Sequence, residues 1–298
     1  MKKYAYFPGC SLEKMAHSYH MSALETTRAL GIELEELEDW NCCGATAYFH
    51  VDELLAFTLC ARNLAMAEKE KRDIVAPCSG CYKNLFFTRE HLKHDADLAE
   101  HINEALAEDN LHYAGTSAVR HLIEVFVQDV GFDAIKAKVT KPLKGLRVAP
   151  YYGCQILRPR KAKEDVEQPR FFEDLISAIG AEPVDYRLRL SCCGGALIIT
   201  NRRAALSMVR NLLECAVRSK AAIIATACPL CQVNLECYQK QVNREFGTDL
   251  NVPVVYFTQL VGLALGIPPK RLGIGSELVA VMPAIREAIE AEPVVAST

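Results

Sequence analysis

The sequence predicts an α/β fold of two tandem, pseudo-symmetric domains, 1–144 and 145–298, and three observations carry that expectation. Short apolar runs alternate with longer segments of helical spacing through both halves, the order that builds parallel sheets with crossover helices. The stretch Asn41-Cys42-Cys43-Gly44 returns as Ser191-Cys192-Cys193-Gly194-Gly195, each copy with one cysteine upstream and a C-x-x-C downstream. The step from the second Cys of each pair to the first of the C-x-x-C is 35 positions in both halves (43 to 78, 193 to 228), against upstream gaps of 32 and 38. Self-similarity at a fixed offset marks a duplicated unit.

Taken in order, 4–7 reads as a short buried strand that Pro8-Gly9 breaks, leaving Cys10 in the turn at its carboxyl end. Residues 18–30 have helical spacing (Met21, Leu24, Thr27, Leu30) and stop at Gly31, a natural residue to follow a helix. The alternating 32–37 predicts a second strand delivering the chain to Cys42-Cys43; 51–70 predicts a long helix, and 73–76 a third strand ending at Pro77-Cys78. The second half repeats this: 145–152 leads to Cys154, a helix over 169–179 ends on Gly180, and 182–190 leads to Cys192-Cys193. A helix over 202–219 follows, and 221–227 feeds Cys228. Between the halves, 95–108 and 117–130 read as helices, the second amphipathic through Val119, Leu122, Val125 and Phe126; 140–145 is the linker. After Cys237 come a charged helix, the apolar stretch 252–266 and a tail rich in Ala and Glu. Open sheets of this Rossmann-like kind bind ligands at the carboxyl edge of their strands. Three loops there could present five thiols to one site in each half.

Composition narrows the chemistry. Half of the 298 residues are apolar and a quarter charged, and the net charge of −3 without a basic stripe argues against nucleic acid. No window approaches the ~18 apolar residues of a membrane span, and the start lacks the apolar region of a secretory signal. We therefore expect a cytoplasmic protein. Thirteen cysteines in a reducing compartment point to metal or redox chemistry rather than structural disulfides.

Ten of those thirteen fall into two matching sets: Cys10, Cys42, Cys43, Cys78 and Cys81, then Cys154, Cys192, Cys193, Cys228 and Cys231. A structural zinc ion takes four ligands, often from two C-x-x-C pairs; here each half offers one C-x-x-C, one adjacent pair and one singleton. Adjacent cysteines seldom bind one zinc together but can reach two irons of a cluster several ångströms across. The ferredoxin-type C-x₂-C-x₂-C run is absent. Glycines at 44, 80, 194 and 195 let the backbone approach and donate N–H groups to sulfur.

Tyr6-Phe7-Pro8-Gly9-Cys10, Ala76-Pro77-Cys78-Ser79-Gly80-Cys81, Tyr152-Gly153-Cys154 and Ser191-Cys192-Cys193-Gly194-Gly195 resemble the Cys-Cys-Gly domain of the B subunit of heterodisulfide reductase in wording as well as spacing. The resemblance implies two noncubane [4Fe-4S] clusters, the first on Cys10, Cys42, Cys43, Cys78 and Cys81, the second on Cys154, Cys192, Cys193, Cys228 and Cys231, facing each other across a clamped disulfide. All ten positions are filled. It also implies two partner subunits of the same complex, one ferredoxin-like and one bearing flavin. In methanogens it implies the mixed disulfide of coenzyme M and coenzyme B as substrate. No G-x-G-x-x-G follows a strand, so neither flavin nor nucleotide is expected on this chain. The other readings are an electron-transfer subunit of a flavin dehydrogenase or quinone reductase, and a zinc-stapled scaffold.

The remaining candidates carry bland readings beside functional ones. Cys60, Cys215 and Cys237 lie in helical patterns without matching partners and are expected as buried thiols. Lys83, and the run Arg158, Arg160, Lys161 and Lys163, could receive an anion or be solvated surface. His17, His20 and His50 stand near the cysteine loops as possible proton donors, or as packed side chains, and Trp40 is expected to be a wall.

Overall fold

A computed structural model describes residues 2–45, 47–159 and 165–290. The first half forms strands β1 (Lys2–Tyr6), β2 (Ile32–Glu36), β3 (Ile74–Ala76) and β4 (Val119–His121), parallel and ordered β2-β1-β3-β4. The second forms β5 (Arg147–Tyr151), β6 (Glu182–Pro183), β7 (Ile223–Thr226) and β8 (Val254–Tyr256), parallel and ordered β6-β5-β7-β8. This is the tandem α/β architecture the repeat predicts. In each sheet the chain steps outward on one side of the first strand and then switches to the other. The crevice at that reversal lies between β1 and β3, and between β5 and β7, where open sheets receive ligands.

The fourth strands depart from the sequence-based expectation. Val119–His121 lies in a segment whose spacing fits a helix, but these three residues pair with β3, and the helical part begins only at Leu122. Likewise the apolar run 252–266 divides into β8 and the helix Phe257–Ala264. The segment 184–190 is irregular and then turn rather than strand; β6 is two residues long with Pro183 in it, as befits an edge strand. The long helix expected over 51–70 breaks at Asp52. That residue is extended (φ −151°) and caps the helix Glu53–Lys69 by accepting from Leu55 N at 2.9 Å. Asn201 caps the matching helix Arg202–Arg218 from Ala204 N at 3.2 Å.

One apolar core joins the halves. Tyr4, Tyr6, Tyr19 and Phe126 from the first half interleave with Val148, Tyr152, Phe172, Tyr256 and Phe257 from the second, all at 1% exposure or less. Smaller cores lie around Phe57, Leu64 and Leu85, and around Val209, Leu213 and Leu235. The helix His17–Leu30 packs on Phe257–Ala264, and Phe132–Lys138 on Phe171–Ala178, so a helix beyond each fourth strand covers the other half. Tyr19 stacks on Tyr256 at 4.1 Å between centroids, and the Ser22 and Thr258 hydroxyls meet at 2.6 Å.

At this crossing Gly262 admits the neighbouring chain so closely that an added Cβ would lie 2.8 Å from Leu272 Cδ1 and 3.0 Å from Thr26 Cγ2. Gly262→Leu is expected to wedge the halves apart and cost about 1–3 kcal/mol, read as a lower midpoint in equilibrium denaturation. An unchanged midpoint would mean that the crossing is loosely packed.

Candidate functional site

The ten cysteines of the two sets lie in the loops that leave the carboxyl ends of the strands. After β1, Gly9 at φ +71° opens a one-turn helix, Gly9–Leu12, which carries Cys10. Cys42 and Cys43 lie in the irregular run beyond β2, and Cys78 is the N-cap of the helix Ser79–His94 with Cys81 in its first turn. The second half repeats each placement: Cys154 in a turn after β5, Cys192-Cys193 before the short helix Leu197–Thr200, Cys228 as N-cap of Pro229–Cys237, and Cys231 in its first turn.

Their sulfurs crowd together along the strand ends. Cys10 and Cys42 stand 4.0 Å apart and Cys43 and Cys81 3.3 Å apart. Cys42 neighbours Cys43, and Cys81 neighbours Cys78. Cys78 then meets Cys228 of the other half. From there the contacts run Cys228–Cys231, Cys231–Cys193, Cys193–Cys192 and Cys192–Cys154. Beside the junction, Ser79 Oγ donates to Ala227 O at 3.3 Å, another bond between the halves.

Crowded thiols share protons unequally. Cys154, then Cys193, hold Cys192 down to about 2, and Arg158 and the Gly194 N–H contribute. Cys43 lies well below the ordinary thiol range beside Cys42 and Cys81, as does Cys228 beside Cys231 and Cys78. Their neighbours rise: Cys193 to about 12, chiefly through Cys192, and Cys78 chiefly through Cys228. Each set thus holds at least one cysteine pushed toward thiolate, the form that binds metal, while its neighbours, Cys10, Cys42, Cys81, Cys154 and Cys231 among them, are pushed up.

Two further features repeat at matching positions. A Cβ on Gly9 would lie 3.0 Å from Cys81 Sγ, and one on Gly153 3.0 Å from Cys231 Sγ. Both glycines have positive φ, +71° and +68°, and let the loop of the lone cysteine close on the C-x-x-C sulfur. Asn84 and Asn234, each three residues beyond the second cysteine of a C-x-x-C, donate at 3.1 Å to the carbonyls of Cys43 and Cys193. Asn234 also reaches Gly195 O at 3.0 Å, and Cys60 Sγ donates to Cys43 O at 3.3 Å. In the sequence only the common offset marks these asparagines. Nothing there marks Asn63, which clasps the Asn41 backbone from both sides at 3.0 Å, just ahead of Cys42.

The other candidates separate. Cys60 and Cys215 are buried as expected, but Cys237 is exposed, because it closes its helix on the face opposite the core. His17 and His20 line a pocket of about 310 Å³ with Pro8, Leu12, Glu13, Lys14 and Glu36. Their rings stack at 5.6 Å, and His20 Nδ1 meets Tyr6 OH at 3.3 Å. His50 is exposed on another helix. Lys83 lies 6.0 Å from the Phe87 ring, and Trp40 packs edge-on against Phe7 as a wall. Arg158 is exposed; Arg160, Lys161 and Lys163 fall outside the described residues.

Residues 4–86 and 148–236 match the cysteine-rich (CCG) domain family. The chain is 34% identical to the B subunit of the ferredoxin:CoB-CoM heterodisulfide reductase of Methanosarcina mazei, over 92% of its own length and 93% of the relative's. It belongs to the family of heterodisulfide reductase B subunits. It is also 39% identical to the 8-methylmenaquinol:fumarate reductase membrane anchor subunit of Wolinella succinogenes, over 93% of this chain and 97% of that one. A protein of Archaeoglobus profundus, named for its likeness to the heterodisulfide reductase B subunit, is 29% identical over 91% and 93%. A crystal structure of a hypothetical protein from Helicobacter pylori superposes with a TM-score of 0.76 at 15% identity, a likeness of fold; this chain spans 94% of itself and 52% of that chain.

Membership of this family makes the donor set testable against an iron–sulfur cluster. Among the described residues no three of His, Cys, Asp and Glu are grouped to hold a metal ion in common. The thiols are strung out in close pairs instead, and ligands of a body several ångströms across need not share one centre. Sulfur-only donors, thiolate within each set, and glycine-lined loops fit such a group. Among the described residues no helix is long and apolar enough to cross a membrane, although one relative is named a membrane anchor subunit.

Asn234→Leu would leave the carbonyls of Cys193 and Gly195 unpartnered at about 1–3 kcal/mol each. Asn84→Leu strips only Cys43 O, which keeps the Cys60 thiol. The expected outcome is a larger fall in melting temperature for Asn234→Leu; equal falls would contradict this division.

Proposed function

We propose that this chain is the iron–sulfur subunit of a heterodisulfide reductase-like complex that cleaves or forms a disulfide. Cys10, Cys42, Cys43, Cys78 and Cys81 would hold one noncubane [4Fe-4S] cluster, and Cys154, Cys192, Cys193, Cys228 and Cys231 the second, in domains divided near residue 144. The observation that carries this reading is the approach of the Cys78 and Cys228 loops, tied beside the cysteines by the Ser79 Oγ–Ala227 O bond of 3.3 Å. When bound, two such clusters supply a disulfide with its two electrons one at a time. Opening R–S–S–R′ consumes two electrons and two protons and releases RSH and R′SH. The protein's part is to bring the two sets together, hold their loops through Asn84 and Asn234, and keep the inner sulfurs out of bulk water.

The electrons would come from two partner subunits, one ferredoxin-like and one bearing flavin, in the cytoplasm. The substrate would be the coenzyme M–coenzyme B disulfide in a methanogenic host and another disulfide or sulfur compound elsewhere. A second reading, an electron-transfer subunit of a quinone reductase or flavin dehydrogenase, is favoured by one observation: identity to the fumarate reductase subunit is 39%, against 34% to the methanogen protein.

Iron and sulfide content with EPR on anaerobically purified protein decides between them. Two clusters require about eight irons, and a new paramagnetic signal on adding thiol under oxidising conditions supports disulfide chemistry. Zinc in place of iron would sink both redox readings. About eight irons with no response to thiols or disulfides would select electron transfer. Cys43→Ser and Cys193→Ser should each remove about half the iron; unaltered content in either would displace that residue from the ligand set.

A further inference from the structure

The junction of the two halves contains a hydroxyl with nothing to bond. Tyr19 is fully enclosed, stacked on Tyr256 within 6° of parallel and flanked edge-on by Phe257 at 6.2 Å. The tyrosines around it have partners: Tyr256 OH donates to Gln232 Oε1 at 3.3 Å, and Tyr6 OH meets His20 Nδ1 at 3.3 Å. Tyr19 Oη has none. Phenylalanine would keep the stack without desolvating a polar group, so a tyrosine here calls for an acceptor that the polypeptide does not supply.

The surroundings say which acceptor. Tyr256, on which Tyr19 stacks, sends its hydroxyl to Gln232 beside Cys231, and its strand partner Thr226 leads to Ala227, whose carbonyl takes the Ser79 hydroxyl next to Cys78 at 3.3 Å. Thr226, two residues before Cys228 and in register with Tyr256, carries a second buried hydroxyl without a partner. Orphaned hydroxyl donors beside facing thiols suit an anionic sulfur.

We propose that Tyr19 Oη donates a hydrogen bond to an anionic sulfur bound where Cys78 and Cys228 meet, and so acts as a positioning and tuning residue. The inference deepens the disulfide reading and rests on it. The sulfur has two possible sources, sulfide of a resident cluster or the thiolate of the substrate, and both present the same acceptor. A fixed donor stabilises the more negative state of that sulfur. Its loss should lower the potential of a resident cluster, or weaken the hold on an added thiolate.

The test uses the full chain, purified anaerobically with its iron, as wild type and Tyr19→Phe, with Thr226→Val as a second variant. Iron content should stay at the wild-type level. In EPR-monitored titration a lower midpoint potential without added thiol assigns the acceptor to resident sulfide. An unchanged potential with about fivefold more 2-mercaptoethanesulfonate needed for half the thiol-induced signal, the loss of one hydrogen bond, assigns it to substrate. Wild-type iron with both readouts unmoved in Tyr19→Phe overturns the proposal alone. A wild-type chain that carries no iron overturns the parent reading and this one with it.

Discussion

Everything near the cysteines depends on how the helix His17–Leu30 beds against Phe257–Ala264. That contact is tight because Gly262 carries no side chain and because Ser22 and Thr258 satisfy each other inside it. Strand-edge loops that would serve two separate sites are thereby brought to one line, with Cys78 and Cys228 in the middle. Loosening the helix crossing would leave each half able to form its sheet but would part the two thiol sets. The shared core, running from Tyr4 to Tyr256 through both halves, is the energetic expression of this dependence.

The two halves are not equivalent, although their strand orders are. Cys10 and Cys42 are exposed, whereas Cys154 and Cys192 are half-buried; Cys78 is half-buried, whereas Cys228 is buried. The outer end of the first set therefore faces solvent, and the second set is held more deeply, with Arg158 adding positive charge beside Cys192. Two copies of one group held in such unequal surroundings would differ in potential, since burial and nearby charge are the levers by which a protein tunes a metal centre.

Much of this is legible in the sequence, and the limits have physical causes. The cysteine repeat is a statement about covalent spacing, so it survives translation into three dimensions, and β1, β3, β5 and β7 lie where their apolar runs place them. The fourth strands escape notice because three residues are too few for a period-2 pattern, and because Val119, Leu122, Val125 and Phe126 satisfy a helical stripe just as well. The break at Asp52 is hidden because its neighbours favour helix and only the capping bond reveals it. Asn63, Asn84 and Asn234 act through side-chain bonds to distant carbonyls and amides, and no local composition signals such partners. Cys237 departs from expectation because helical spacing gives a face but not which face turns to the core.

The same geometry bears on the choice between disulfide chemistry and simple electron transfer. A conduit needs only short distances between redox centres, and gains from shielding every sulfur from solvent. This chain instead leaves one end of its sulfur line open at Cys10 and Cys42 and the first junction cysteine half-open at Cys78. It also buries a hydroxyl near that junction with no protein group to receive it. The hydroxyl would serve resident sulfide and substrate sulfur alike, so it is access at the open end that bears on the choice. The disulfide reading we propose therefore leans on access to the junction, and the electron-transfer reading on the larger identity to the fumarate reductase subunit.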